Sequence, residues 1–432
     1  MTLFKRMLFC AAFLTTSLAT LLAPTLANAA LEIEISGGGA QQIPIAIVPF
    51  GGAANTKENI NEIVAADLNR SGLFRVLETR GMANLPSNAS QIKYAEWTAL
   101  QAQAVTVGNV ESVAGGRLKV SFQLMDALKQ TQLAGVDYQI APAQVRTTAH
   151  KIADVIYQKL TGQSGMFASH IAYIAKTGKL YALLVADADG YNPQSVLKSN
   201  EPIISPVWSP DGTKLAYVSF QKKKPIIYVQ SLTGGTQQVL ANYKGNNSAP
   251  AWSPDGNKLA IVLTYGANSQ IYTISANGGD LKQITKSNNI DTEPAFSHDG
   301  SQIYFSSDRG GKPQIYKVPA GGGEVSRVTF EGAYNVSPRF SPDGKSLAYI
   351  RNDGGKFRVA LQDLASGQVQ LLSEGAQDES PSFAPNGRVI LYATKVHGRG
   401  ALAAVSSDGK VRQRLNDATG DVREPAWGPL LN

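Results

Sequence analysis

The residue types that most often carry chemistry are scarce in this chain. It has one cysteine, Cys10, and four histidines that lie far apart in the sequence, His150, His170, His298 and His397. A zinc site needs a cluster of such ligands, and a structural disulfide needs a second cysteine. We therefore predict no metal site, no other cofactor, no disulfide and no thiol catalysis.

Aspartates recur at a regular spacing and could serve as general acids or calcium ligands. They stand in Pro-Asp-Gly or His-Asp-Gly sequences, at Asp211, Asp255, Asp299 and Asp343. Aspartate favours a turn there and glycine tolerates a positive φ, and a fifth copy carries Asn386 instead of an acid. Asp187 and Asp189 before Gly190 resemble part of a calcium loop without its later oxygen ligands. We interpret all of these aspartates as turn residues.

A serine-hydrolase signature is also missing. Gly162-Gln-Ser-Gly165 lacks the G-x-S-x-G spacing, and no strand-turn-helix pattern surrounds it. We therefore predict no catalytic residues and no enzymatic activity.

Residues 1–29 have the pattern of a secretory signal peptide. Lys5 and Arg6 precede an apolar run over residues 7–22, and Ala27-Asn28-Ala29 provides the small residues of a cleavage site. The alternative is a retained membrane anchor. No later segment approaches the ~18 apolar residues that would span a bilayer. We expect an exported, periplasmic chain with no membrane span.

The charge of the chain gives little support to nucleic-acid binding. Removal of Lys5 and Arg6 with the signal peptide lowers the formal net charge from +7 to +5. The remaining excess is dispersed, with Lys222-Lys223-Lys224 as its one run, and such a run is usually a solvated loop. We expect no nucleic-acid partner.

Residues 43–163 alternate between strand and helix patterns. The apolar run over residues 43–50 predicts a buried strand, and Ile60, Ile63, Val64 and Leu68 follow at helical spacing. Two apolar stretches flank Gly115-Gly116, which is typical of a hairpin. These patterns predict a small α/β domain.

From residue 164 onward the sequence repeats. The motif Pro-x-[Trp/Phe]-[Ser/Ala]-x-[Asp/Asn]-Gly begins at Pro206, Pro250, Pro294, Pro338 and Pro381, with spacings of 44, 44, 44 and 43 residues. Alternating apolar patterns and glycine-rich turns follow each copy. Four strands in about 44 residues are typical of one β-propeller blade. The Trp/Phe residues of the motif are interpreted as core between blades, with a ligand cage as the alternative.

The two ends of the array give the number of blades. Ile171-Ala172-Tyr173 begins a blade that has no preceding Pro-x-Trp strand, and Pro425-Ala426-Trp427 supplies such a strand at the far end. We therefore predict a multidomain fold, a small N-terminal α/β domain followed by a six-bladed β-propeller over residues 164–432. The C-terminal strand closes the ring and removes two open sheet edges.

Two regions could bind a protein partner. In residues 30–42, Leu31, Ile33 and Ile35 alternate with Glu32 and Glu34, before a glycine-rich tether. This pattern suits a strand that adds to a partner's sheet edge, or an edge strand of its own domain. The second region is the propeller face formed by polar loops before each Pro-x-aromatic strand, for which solvated loop tips are the alternative.

The combination of signal peptide, α/β domain, six blades and closing strand resembles the TolB family of periplasmic propellers in the Tol–Pal cell-envelope system. Asn289-Ile-Asp-Thr-Glu-Pro294 and Gly311-Lys-Pro-Gln-Ile-Tyr-Lys317 are similar to that family, and the resemblance covers essentially the whole mature chain.

This resemblance implies partners and positions. Members bind the lipoprotein Pal through the propeller and TolA through the mature N-terminus, and some bacteriocins use the same propeller surface. Ala249 and Thr292 match positions implicated in the Pal contact, whereas Asn246 stands where well-known members have histidine. The implied role is a monomeric, non-enzymatic adaptor that supports outer-membrane integrity and envelope constriction during cell division. The alternative is a periplasmic propeller enzyme or a glycan-binding protein that uses the channel mouth.

Overall fold

The computed structural model describes residues 32–36, 42–52, 56–266, 268–416 and 421–431. The predicted signal peptide and its cleavage site therefore lie outside the described residues. Within these ranges, no helix combines the length and the apolar character needed to cross a membrane.

The N-terminal domain is an α/β unit around a mixed five-stranded sheet. After strand β1 (Glu32–Ser36), the elements are β2 (Ile43–Ile47), α1 (Ile60–Arg70), β3 (Phe74–Leu77), α2 (Tyr94–Ala99), β4 (Ala104–Val113), β5 (Arg117–Asp126), β6 (Gln132–Ile140) and α3 (Val145–Thr161), with 3₁₀ turns at Ala89–Gln91, Ala114–Gly116 and Pro142–Gln144. The sheet order is β3-β2-β4-β5-β6, parallel in its first three strands and antiparallel thereafter. Gly115 and Gly116, at φ +76° and +70°, turn the β4–β5 hairpin as predicted.

The remaining strands form the six-bladed propeller that the repeat predicts. Its first strands are β7 (Ser169–Thr177), β8 (Leu180–Asp187), β9 (Gln194–Ser199), β10 (Ile203–Trp208), β11 (Lys214–Ser219), β12 (Ile226–Ser231), β13 (Gln237–Ala241), β14 (Asn246–Trp252), β15 (Lys258–Tyr265), β16 (Asn268–Ser275) and β17 (Lys282–Gln283). The others are β18 (Asp291–Phe296), β19 (Gln302–Ser307), β20 (Gln314–Pro319), β21 (Ser326–Arg327), β22 (Tyr334–Phe340), β23 (Ser346–Asp353), β24 (Lys356–Asp363), β25 (Val369–Leu371), β26 (Glu379–Phe383), β27 (Val389–Val396), β28 (Arg399–Ser406), β29 (Arg412–Asn416) and β30 (Asp421–Leu430).

Each blade is an antiparallel sheet in chain order, except where the ring closes. Blades 2 to 6 begin at β10, β14, β18, β22 and β26, whereas blade 1 has the order β30-β7-β8-β9. Trp427 in β30 lies opposite Ile171 in β7, and its indole Nε1 donates to Ser169 Oγ at 2.9 Å. The C-terminal strand therefore closes the ring inside the first blade.

One apolar core joins the two domains. The buried side chains of Tyr157 in α3 and Phe167 in the connecting segment belong to the same cluster as Leu391, Leu402 and Leu415 of blade 6. Because this cluster crosses the domain boundary without interruption, the α/β domain is packed onto the propeller rather than tethered beside it.

Candidate partner-binding surfaces

The innermost strand of every blade has the same backbone irregularity at the channel. The residue before each motif proline adopts a left-handed conformation with φ between +49° and +58°, at Ser205, Ala249, Glu293, Ser337, Ser380 and Glu424. The ladder register shifts at this place in all six blades, as in a β-bulge. Such conformations are costly for residues other than glycine, so their sixfold recurrence shows that the bulge is a property of the repeated blade and not of one local sequence.

Two of these residues are glutamates that connect neighbouring blades. Glu293 Oε2 accepts from the Ser337 backbone N–H at 3.0 Å and from Ser306 Oγ, while its Oε1 accepts from Ser337 Oγ at 2.7 Å. Glu424 accepts the backbone N–H of Ser205 in the next blade. These carboxylates therefore cap backbone groups of the adjacent blade.

The electrostatics of the channel differ from blade to blade. Burial, together with the negative charge of Glu379, raises the pKa of Glu424 to about 7, although the Ser205 N–H lowers it. Perturbed carboxylates can mark an enzyme site. Here Glu293 uses both oxygens on Ser306 and Ser337, and Glu424 holds a backbone group, so the geometry favours a structural role for both.

Arg339 lines the channel. It follows the motif proline at a position where the other blades carry smaller residues, namely Val207, Ala251, Ala295, Ser382 and Ala426. Its side chain borders both a cavity of about 410 Å³ at the mouth and one of about 290 Å³ beyond it. Burial lowers the pKa of Arg339, and the charges of Glu293 and Glu424 oppose that shift. Neither Arg339 nor the two glutamates was predicted from the sequence as a site residue.

Buried polar side chains fix the loops around the mouth. Four of them occupy equivalent positions and are at most 2% exposed, namely Asn247, Asp291, Asn335 and Asp378. Asn335 Nδ2 donates to Gln314 Oε1 and to the Glu331 carbonyl, both at 2.8 Å. Asp291 accepts two hydrogen bonds of 2.9 Å from Arg309. Apart from Asn335 Oδ1, which has no hydrogen-bond partner, these buried side chains bond to loop backbone or to neighbouring side chains and so hold the mouth in a preformed arrangement.

The residues assigned to the Pal contact lie at this end of the propeller. Asn246 begins β14 and is exposed, Ala249 lines the 410 Å³ cavity, and Thr292 is partly buried opposite Ser306 in the β18–β19 register. The structure thus places all three at or beside the channel mouth.

The repeated aspartates close turns, as predicted. The serine two residues earlier donates to each carboxylate at 2.5–2.6 Å, at Asp211, Asp255, Asp299 and Asp343. These bonds lower the pKa of all four, that of Asp299 to about 2.

Asp187 and Asp189 lie at the junction between the domains, which the sequence did not reveal. Arg146 of α3 donates to both, with its Nε 2.8 Å from Asp187 Oδ2. His150 Nδ1 lies 2.6 Å from Asp67 Oδ2, and His150 could join the two aspartates in holding a metal ion. Because Arg146 already occupies both carboxylates, this cluster fits a charged interdomain contact instead.

The charge of His150 supports that interpretation. Burial lowers its pKa, but the charge of Asp67, the hydrogen bond between His150 Nδ1 and Asp67, and the carboxylate of Asp187, 3.9 Å from Nε2, outweigh burial and raise the pKa to about 9. A protonated His150 and Arg146 therefore balance the carboxylates at neutral pH.

The N-terminal strand β1 docks on the propeller. It pairs antiparallel with β29 and so becomes the fifth strand at the outer edge of blade 6. The register places Ile33 opposite Leu415 and Glu34 opposite Arg414. Of the two alternatives that the sequence left open, the structure has an intramolecular edge strand, but on the propeller rather than in the α/β sheet. Leu31 lies outside the described residues.

Comparison with known proteins covers both domains. The family model described as "TolB amino-terminal domain" matches residues 31–133, and "TolB beta propeller domain" matches residues 157–431. The Tol-Pal system protein TolB of Methylobacillus flagellatus is 71% identical over 409 residues, 94% of each chain. That of Dechloromonas aromatica is 61% identical over 404 residues, also 94% of each chain.

A solved structure agrees with the fold. The crystal structure of TolB from Acinetobacter baumannii is 40% identical to this chain, with a TM-score of 0.85, and the match covers 92% of this chain and 100% of that one. The propeller, its α/β partner and these relatives together show that this chain belongs to the TolB family of Tol–Pal system proteins.

Proposed function

We propose that this chain is a non-enzymatic periplasmic adaptor of the Tol–Pal system. It binds the lipoprotein Pal at the channel mouth, around Asn246, Ala249 and Thr292, and it binds TolA through the mature N-terminal segment at residues 30–42. Through these contacts it supports outer-membrane integrity and envelope constriction during cell division. Bacteriocins that enter through the Tol system use the same propeller surface.

One observation carries this proposal: strand β1 pairs with one strand, β29, and so lies at the outermost edge of the blade 6 sheet. An edge strand can leave without opening the rest of its sheet, and extended segments bind partners by strand addition. The same segment can therefore pair with β29 or with TolA, and the two states exclude each other. Because one chain holds both sites, any coupling between Pal and TolA binding is reciprocal.

The channel mouth supports the second half of the proposal. Its loops are held by buried side chains such as Asn335 and Asp291, so a partner meets a surface that needs little ordering. An enzyme or glycan site in the channel has less support, because Glu293 and Glu424 are engaged with backbone groups of neighbouring blades.

Deletion of residues 30–42 tests the TolA assignment. We expect the purified variant to lose TolA binding in a calorimetric titration, while it keeps Pal binding and a cooperative melting transition. A matched control replaces only the tether residues 37–41 with a Gly-Ser segment of equal length and should keep TolA binding. TolA binding by the deletion variant would refute the assignment.

Thr292→Arg tests the Pal assignment. A bulky charge at the mouth should weaken Pal binding by at least about tenfold without lowering the melting temperature, because Thr292 is only partly buried. If the variant bound Pal with unchanged affinity, the Pal-binding site would not include Thr292.

A further inference from the structure

Two apolar side chains are exposed on the propeller end that contains the mouth. Phe330, in the loop between β21 and β22, is 75% exposed, the largest fraction for a large apolar side chain among the described residues. Ile290, directly before β18, is 45% exposed. Isolated exposed apolar residues are common, so these two need further evidence before they indicate a binding surface.

The repeat supplies a comparison at the Phe330 position. Thr285, Thr329 and Ser373 are equivalent, since each hydroxyl accepts a backbone N–H of its own blade. The next residue is Lys286 in the first case, Phe330 in the second and Glu374 in the third. Because lysine and glutamate serve equally well in the neighbouring loops, the blade does not require an aromatic ring here.

Ile290 is likewise more apolar than the equivalent residues of several other blades. Four residues before the motif proline, blades 1, 3 and 6 have the polar residues Asp421, Asn246 and Gln377, blades 2 and 5 have Pro202 and Tyr334, and blade 4 has Ile290. A polar side chain is therefore compatible with the loop. The repeat therefore does not require an isoleucine at this position.

Phe330 is held in place despite its exposure. The Arg327 guanidinium lies over its ring, 5.4 Å from the centroid, and Arg327 Nε donates to the Thr329 carbonyl at 2.6 Å. On the other side, Asn335 holds the Glu331 carbonyl. Immobilised aromatic residues bind partners at low entropic cost, which is why they are frequent interface anchors.

Hydrogen bonds connect the loop that carries Ile290 to the loop that carries Phe330. The Ile290 N–H donates to Asp308 Oδ1 at 2.8 Å, at one end of the β19–β20 turn, and the Asn335 N–H donates to the Pro313 carbonyl at 2.9 Å, at the other end. This turn therefore connects the Ile290 loop to the Phe330 loop. Thr292, at the mouth, is two residues from Ile290.

We propose that Phe330 and Ile290 are the apolar anchors of the Pal-binding surface, which extends outward from the channel mouth along blade 4. This inference rests on the proposed function and adds specificity-determining residues to it. Exposed lysines, Lys286 and Lys312, flank the two anchors. The matching part of the partner is an apolar patch bordered by carboxylates.

Substitutions taken from the neighbouring blades test the proposal, because the repeat already accommodates them. Phe330→Lys introduces the residue of the preceding loop, and Ile290→Asn introduces that of blade 3. We expect Phe330→Lys to weaken Pal binding by at least about tenfold and Ile290→Asn by about three- to tenfold. TolA affinity and the melting temperature should stay unchanged. The matched control is Leu128→Ala, which removes a 69% exposed apolar side chain from the N-terminal domain.

The outcomes separate this inference from the proposed function. If the unmodified protein does not bind purified Pal, the proposed function itself fails. If Thr292→Arg abolishes Pal binding but Phe330→Lys and Ile290→Asn bind like the unmodified protein, only the anchor assignment is wrong. Equal losses in the Leu128→Ala control would also overturn it, because the effect would then not be specific to blade 4.

Discussion

The channel mouth and the N-terminal strand are built in opposite ways. At the mouth, buried polar side chains hold the loops of four blades, and left-handed residues recur in all six blades. Strand β1 pairs with the edge strand of blade 6 through a ladder between residues 32–36 and 412–416. Loss of one contact at the mouth therefore leaves others in place, whereas loss of this ladder removes the strand pairing along the whole of β1.

This contrast explains how one chain can present a stiff surface and a removable one. A docking face gains affinity from being preformed, and a segment that exchanges partners must be only weakly attached. A single strand or loop cannot be both rigidly fixed and weakly attached. Here they are separated, since the mouth lies on the axis of the ring and β1 lies on its periphery.

Removal of the closing strand is expected to have the largest effect on stability, because it opens the ring that keeps the channel mouth rigid. Deletion of residues 425–432 removes Trp427 and the carbonyl of Ala426, which accepts the Trp208 indole N–H. Loss of a large core side chain alone costs about 3–5 kcal/mol, and here the ring also reopens. We expect the melting temperature to fall by at least about 10 °C in calorimetry.

Trp427→Phe is the control for that deletion, because blades 4, 5 and 6 carry phenylalanine at the same position, at Phe296, Phe340 and Phe383. It should cost far less than the deletion. An unchanged melting curve for the deleted chain would show that the ring does not depend on its C-terminal strand.

The repeat made the propeller predictable because each blade is a local unit. The position of Pro425-Ala426-Trp427 relative to the earlier copies was enough to predict six blades and their closure. The pairing of β1 with β29 joins residues almost 400 positions apart, and an alternating sequence indicates a strand without indicating its neighbour. The alternation of apolar and charged residues in β1 therefore does not predict that this strand pairs with blade 6.

The details of the channel were also hidden from the sequence. Glu293 and Glu424 stand where other blades have serine or alanine, and only the bulge directs their carboxylates toward the next blade. Comparison of the residue before each motif proline would have singled them out. The contact of Arg146 with Asp187 and Asp189 had no local signal, because it joins two domains.

The pH dependence of stability gives a sharper test of the mouth. Glu424 has a pKa of about 7 in the folded protein, against an ordinary value of 4.5, so the folded state binds its proton more tightly. Its contribution to stability is therefore lost as the pH rises from about 4.5 through about 7. Glu424→Gln should match the unmodified protein at pH 5 and be more stable at pH 8, by roughly 1–3 kcal/mol in urea titrations.

Glu379→Gln provides the second arm of this test. The negative charge of Glu379 helps to raise the pKa of Glu424, so its removal should move the stability transition to lower pH. Parallel stability curves for all three proteins between pH 5 and 8 would contradict the assignment of the titration to Glu424.

The smallest effect concerns the attachment of β1. In the register, Glu34 lies opposite Arg414, and Ser36 lies opposite Arg412. Opposite charges across an antiparallel pair contribute roughly 0.2–1 kcal/mol. Arg414→Glu should therefore speed hydrogen exchange of the residue 32–36 amides by up to about fivefold and raise TolA affinity by the same factor. The melting temperature should not change, because the ladder is peripheral.

Arg412→Glu is the control on the same strand, since it reverses a charge opposite an uncharged serine; it also removes the ion pair between Arg412 Nη2 and Glu374 Oε1 (3.1 Å), which lies within the propeller rather than in the β1 ladder. If both variants exchange equally fast, the net charge of β29 rather than the Glu34–Arg414 pairing governs attachment. If Arg414→Glu increases exchange but leaves TolA affinity unchanged, release of β1 does not limit TolA binding. The mouth and the strand would then differ in rigidity without that difference controlling which partner is bound.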